Sequence, residues 1–213
     1  MSYRNISDIH EFLSCSTPDQ WIVNAISHQD VMLLDHANCE KKAASMALSF
    51  LFKYSHHTDL CIRMSKIARE ELVHFEQVNS IIKKRNIGYQ SISASRYAAG
   101  LRQGMKNDTG GRLIDLLVIG AVVEARSCER FERVSPNLDF ELMKFYTGLL
   151  ESERRHFTIY TNFAYKFESV YAKPINYVDQ RIAYFLNLDK DLIQKVDSEF
   201  RFHSGPVLNN TAF

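Results

Sequence analysis

Only eight glycines and four prolines punctuate a chain of 213 residues, which implies few turns and long regular elements. Cysteine is just as sparse. Cys15, Cys39, Cys61 and Cys128 form no close pair, and their spacing matches neither a zinc knuckle nor a disulfide framework, so a reducing cytoplasm is the simplest compartment. Long apolar runs are missing too: the longest, Leu116 to Val123, is far too short to span a bilayer. The opening residues MSYRNISDIHEF lack a basic segment followed by an apolar one, so no targeting or membrane segment is expected. With 46% hydrophobic and 24% charged residues and a net charge of +1, the chain reads as a soluble globular protein. A single domain over residues 1–213 is expected, large enough for a good core.

What the chain does contain is one pattern twice over. Glu40 is followed 31 residues later by Glu71, with His74 three positions on; Glu124 is followed 29 residues later by Glu153, with His156 three positions on. Residues three apart on a helix project from one face, so each Glu-x-x-His presents a carboxylate and an imidazole to the same point. A gap of about thirty residues accommodates half a helix, a turn and half of an antiparallel helix, which brings each lone glutamate level with its own pair. This is the ligand set of a two-metal carboxylate site.

Apolar residues at helical offsets surround all six: Leu33, Ala37, Ala44 and Ala47 around Glu40; Met64, Ile67, Ala68 and Val78 around Glu71 and His74. Leu117, Ala121 and Phe131 accompany Glu124, and Leu149, Leu150, Phe157 and Tyr160 accompany Glu153 and His156. Four ionised carboxylates on buried stripes would be costly and mutually repulsive, and two divalent cations would balance them. Surface ion pairing, the usual fate of a glutamate, suits any one of these residues better than all six together.

Around these residues the chain reads as all-α, a four-helix bundle spanning about 28–168. Long helices are expected over 28–54, 59–85 (capped by Thr58), 112–134 and 138–167, with Ser135-Pro136-Asn137 breaking the last two apart. LLVIGAVV resembles a buried strand in isolation, but the stripe continuing to Phe131 decides for helix. Thr17-Pro18-Asp19 reads as a cap, a proline and an acidic first turn opening a short helix through Trp21. A crossover of about 25 residues joins the second and third long helices, with a short helix over 95–102. Accessory helices are expected over 177–186 and 189–200.

The crossover is basic. Residues 83–112 hold Lys83, Lys84, Arg85, Arg96, Arg102, Lys106 and Arg112 against one acid, Asp108, so this stretch carries +6 and the remainder −5. Such a segment suits phosphate contact, with Tyr89 and Tyr97 available to stack on unpaired bases; a solvated loop is the competing reading. His36, one turn before Glu40, suits either support of the metals or a satisfied core position. Cys128, Tyr146 and Tyr160 read as core, and Gly120 and Ala121 as either space for a substrate or close helix packing, the latter favoured. Glu70, Glu129, Glu132 and Glu151 read as outer-face charges, and His28, His56, His57 and His203 receive no role.

The stretches DHANCEKKAA, REELVHFEQV, EARSCERF and ESERRHF, which carry the six residues, resemble the bacterial tRNA-(2-methylthio-N6-isopentenyladenosine) hydroxylases over roughly residues 20–200. The resemblance implies a ferritin-like di-iron monooxygenase with accessory N- and C-terminal helices. Its implied substrate is tRNA, at the modified adenosine of the anticodon stem-loop. The implied reaction takes dioxygen and two electrons from an external donor, places one oxygen atom in the isopentenyl group and releases the other as water. The same resemblance makes Glu71 and Glu153 bridging ligands, with Glu40 and His74 completing one iron and Glu124 and His156 the other. A ferritin-like oxidase or peroxidase without an RNA substrate, and a non-catalytic helical RNA-binding protein, are the alternatives.

Overall fold

The computed structural model describes residues 6–208, all of whose regular structure is helical. The helices are α1 (Ser7–Phe12), α2 (Asp19–Ser27), α3 (Gln29–Lys53), α4 (Thr58–Lys84), α5 (Tyr97–Arg102), α6 (Thr109–Val134), a 3-10 turn (Ser135–Asn137), α7 (Phe140–Val170) and α8 (Tyr177–Gln194). The four long helices fall where the apolar stripes place them. The caps differ from expectation: α4 begins at Thr58 itself, with His57 preceding it. Thr17 does not cap α2; its hydroxyl and amide both donate to Glu129. α6 starts three residues earlier than expected because Asp108 accepts the Gly111 N–H at 2.8 Å, and α7 starts on Asp139, which accepts from Glu141 and Leu142.

Internal contacts divide the chain into two compact units. One is built on the α3–α4 hairpin and runs from Ser27 to Ser95, with Phe200–Phe202 added. That added strip is stitched down by polar bonds: the Phe202 N–H donates to Asp35 at 2.8 Å, and Arg201 donates to the Ser93 carbonyl and hydroxyl. Phe202 also stacks on the His36 ring at 5.2 Å between centroids.

The other unit is built on the α6–α7 hairpin, against which α1, α5 and α8 assemble through contacts of α1 and α8 with α6 and of α5 with α8. α6 is buried almost all the way round, its charged residues Asp115, Glu124, Arg126, Glu129 and Arg130 included. Its Gly120 takes the Tyr160 ring of α7, where a Cβ would lie 2.8 Å from the ring, so this glycine serves close helix packing.

The C-terminal region departs from expectation. A single helix, α8, replaces the two helices anticipated over 177–186 and 189–200. Asp189 does not break it, because its carboxylate is fully buried and takes bonds from Arg126 and Tyr97. The helix ends at Gln194, where Arg96 donates to the Leu192 and Lys195 carbonyls and pairs with Asp197 at 2.6 Å, satisfying groups a helix end leaves open. Residues 196–208 are irregular.

Candidate metal centre

On the α3–α4 hairpin, Glu40, Glu71 and His74 each offer a ligand atom within 4.8 Å of the others. All three are buried, with exposures of 5%, 1% and 7%. The His74 Nδ1 lies 3.4 Å from a Glu71 oxygen and 3.8 Å from a Glu40 oxygen. These side chains converge because Glu71 and His74 are three apart on α4 and Glu40 faces them from the antiparallel α3. His36, one turn before Glu40, places its Nε2 2.5 Å from the other Glu40 oxygen. Burial pushes the Glu40 carboxyl upward, but the charge and hydrogen bond of His36, with smaller contributions from His74 and Glu71, outweigh it and hold the group at about 2.

On the α6–α7 hairpin, Glu124, Glu153 and His156 form the corresponding cluster, again with ligand atoms within 4.8 Å of one another and exposures of 3%, 2% and 0%. Each hairpin thus gathers two carboxylates and one imidazole in a buried place. Two buried carboxylates this close repel unless a cation or a proton separates them. Mixed carboxylate and imidazole donors fit a divalent transition metal such as iron, so the residues present suit the group that the sequence pattern implies.

Other expected roles are revised. Tyr97 is buried, its hydroxyl donating to Asp189 at 2.6 Å; burial first and Asp189 second raise its pKa well above the ordinary value. It is not available to stack on a base. Arg96 is held by Asp197 and the end of α8, whereas Lys83, Lys84, Arg102, Lys106 and Arg112 are exposed and Arg85 is half-buried. Glu129 is not an outer-face charge but buried, accepting from Thr17 and from Arg126 at 3.0 Å. His203 is buried as well, stacked on Tyr97 at 4.9 Å between centroids and 3.3 Å from the Ser127 hydroxyl. Glu132, half-buried, meets His10, and Cys128 is a buried thiol whose pKa burial raises.

Sequence reasoning missed the polar core that Arg126, Glu129, Arg130 and Asp189 form. Burial alone would lower the Arg126 pKa, but Asp189 and then Glu129 overcome it and keep the guanidinium charged. Burial, reinforced by Arg126, brings Arg130 down to about 10; its guanidinium sits 4.3 Å from the Trp21 ring centroid and donates to the Ser204 carbonyl. The available signal was charged residues at helical spacing, Arg126 with Glu129 and Arg130, directly after the apolar stretch of α6.

Comparison with solved structures defines the class. Protein 43 with aldehyde deformylating oxygenase activity, from Synechococcus, matches 94% of this chain and 99% of its own length, with a TM-score of 0.85 and 29% identity. The fold is therefore that of a ferritin-like helical bundle, as the family resemblance implies. Within that class the chain belongs to the tRNA-(MS[2]IO[6]A)-hydroxylase (MiaE) family, whose pattern matches residues 4–204. A tRNA 2-(methylsulfanyl)-N(6)-isopentenyladenosine(37) hydroxylase of Pseudomonas putida is 48% identical over 94% of this chain and 95% of its own. The protein of the same name from Salmonella typhimurium is 37% identical over 96% of this chain and 92% of its own.

Proposed function

We propose that the protein hydroxylates the isopentenyl group of 2-methylthio-N6-isopentenyladenosine in tRNA, with Glu40, Glu71, His74, Glu124, Glu153 and His156 together holding two iron ions. The observation that carries the reading is the duplicated, buried Glu/Glu/His cluster, one on each hairpin, in a chain of this family. On this reading Glu40 with His74 would hold one iron and Glu124 with His156 the other, with Glu71 and Glu153 as the carboxylates that the family resemblance assigns to both. Iron bound there would supply the activation of dioxygen that no side chain supplies, so that one oxygen atom enters the C–H bond and the other leaves as water with two electrons and two protons.

The chain's own residues do the rest. The four carboxylates and two imidazoles would set the charge around the metal, and His36 fixes Glu40. Apolar neighbours such as Ala37, Ala44, Ala121 and Leu149 keep water out. Exposed Lys83, Lys84, Arg102, Lys106 and Arg112 give the RNA backbone its cationic contacts. An external electron-transfer partner delivers the two electrons. No helix among the described residues is long and apolar enough to cross a membrane; on this reading the protein works where its tRNA substrate is, in the cytoplasm.

The test is nucleoside mass spectrometry on tRNA bearing the modified adenosine, after incubation with iron-loaded, chemically reduced protein and dioxygen. A nucleoside one oxygen atom heavier, absent without iron, is expected. Iron-replete protein that consumes dioxygen but leaves the nucleoside unchanged would transfer the reading to a ferritin-like oxidase without an RNA substrate.

A further inference from the structure

Lys41 follows Glu40 on α3, and Phe75 follows His74 on α4, so both stand one residue from proposed ligands. The Lys41 ammonium lies 5.4 Å from the centroid of the Phe75 ring and 5.8 Å from that of Tyr89. It also donates a hydrogen bond of 3.1 Å to the Tyr89 hydroxyl. Tyr89 sits in the irregular stretch that follows α4, and its side chain is 59% exposed. The lysine thus fixes the edge of an aromatic ring that remains open to solvent.

Such an arrangement does little for folding. An exposed lysine contact with a tyrosine contributes little, and leaving a large ring in water forgoes the gain of burying it. For RNA it is apt. A fixed, accessible aromatic face accepts any unpaired base, and the ammonium retains two further N–H donors for the phosphate beside that base. The neighbouring Lys83 and Lys84 at the end of α4 extend the cationic character of this unit.

Resting on the hydroxylase reading above, we propose that Tyr89 is a substrate-positioning residue. Its ring stacks on an unpaired base of the tRNA anticodon loop adjacent to the adenosine being hydroxylated, while Lys41 holds the ring and donates to the neighbouring phosphate. The modified adenosine is thereby held at the level along the α3–α4 hairpin at which Glu40 and His74 stand.

Four iron-loaded proteins test this: wild type, Tyr89→Ala, Tyr89→Phe and Lys41→Gln. Binding of a fluorescent modified anticodon stem-loop is followed by anisotropy as salt is varied, and KM and kcat are measured on the same RNA. Tyr89→Ala is expected to weaken Kd and KM by roughly 5- to 100-fold, with kcat within about twofold and iron content unchanged. Tyr89→Phe keeps the ring but loses the Lys41 hydrogen bond, and is expected to bind more weakly than wild type and clearly more tightly than Tyr89→Ala. Lys41→Gln should reduce the slope of log Kd against log salt by about one. Wild-type binding by Tyr89→Ala would overturn the proposal, as would Tyr89→Phe being as impaired as Tyr89→Ala, because the hydroxyl would then serve only to tether the loop. A wild-type protein that neither binds nor hydroxylates the RNA would defeat the hydroxylase reading itself.

Discussion

His36 and Glu40 stand one helical turn apart on α3 with His36 Nε2 2.5 Å from a Glu40 carboxylate oxygen, while Phe202 stacks on the same imidazole. The imidazole is thus clamped between an acceptor and an aromatic face. It fixes one oxygen of Glu40 and leaves the other directed toward His74 and Glu71. That division of labour is the one expected of a group that orients a metal-binding carboxylate.

Replacing His36 by alanine is therefore expected to weaken metal binding by roughly 10- to 100-fold without unfolding the protein. Competition against a chelator measures it, with circular dichroism as the folding control. Unchanged affinity would reduce His36 to a core histidine.

Arg126 and Asp189 form a second fully buried pair, with Nη2 2.6 Å from Oδ2 and no exposure at either side chain. Asp189→Ala leaves a guanidinium buried without its main partner, and a loss of about 3–5 kcal/mol is expected in urea unfolding. The double variant Arg126→Met, Asp189→Leu, which removes both charges, should lose far less. Equal losses in the two proteins would contradict the ion-pair account.

At Gly120 the Tyr160 ring occupies the space a side chain would need. Gly120→Val is expected to cost about 1–3 kcal/mol through overpacking, read as a lowered melting temperature. A variant of unchanged stability but raised KM would instead assign that space to the substrate.

Asp108 caps α6 and pairs with Lys173, whose hydrogen bond, together with the Gly111 N–H, holds its carboxyl below the ordinary 3.8; the same bond raises Lys173 above 10.5. The lowered carboxyl contributes stability above pH 3.8 and loses it as pH falls through the folded value. The raised amine contributes below pH 10.5 and loses it as pH rises through its own folded value. Since the pair is exposed, Asp108→Asn, which keeps a capping residue, should cost no more than about 1 kcal/mol at pH 7. That difference should be flat from about pH 4 to 10 and vanish in acid; Asp108→Ala should cost about 1 kcal/mol more.

The long helices were legible because each carries a continuous apolar stripe, and the six proposed ligands because they interrupt those stripes with polar groups at fixed spacing. The helices expected over 177–186 and 189–200 merge into one because Asp189, at the start of the second, is interior and paired with Arg126, 63 residues away. The same long-range pairing hid Glu129 and Tyr97, whose burial depends on Thr17 and Asp189. Local pattern reports which face of a helix is apolar. It does not report which distant charge will arrive to neutralise a polar residue there.

The most direct test of the central claim is to run the reaction on modified tRNA under dioxygen enriched in the heavy isotope and weigh the product nucleoside. The account predicts a hydroxylated nucleoside carrying one heavy oxygen atom with wild-type protein, and none with Glu71→Ala or His156→Ala, both of which should bind less iron. Hydroxylated nucleoside carrying ordinary oxygen, or full activity in both variants, would contradict it.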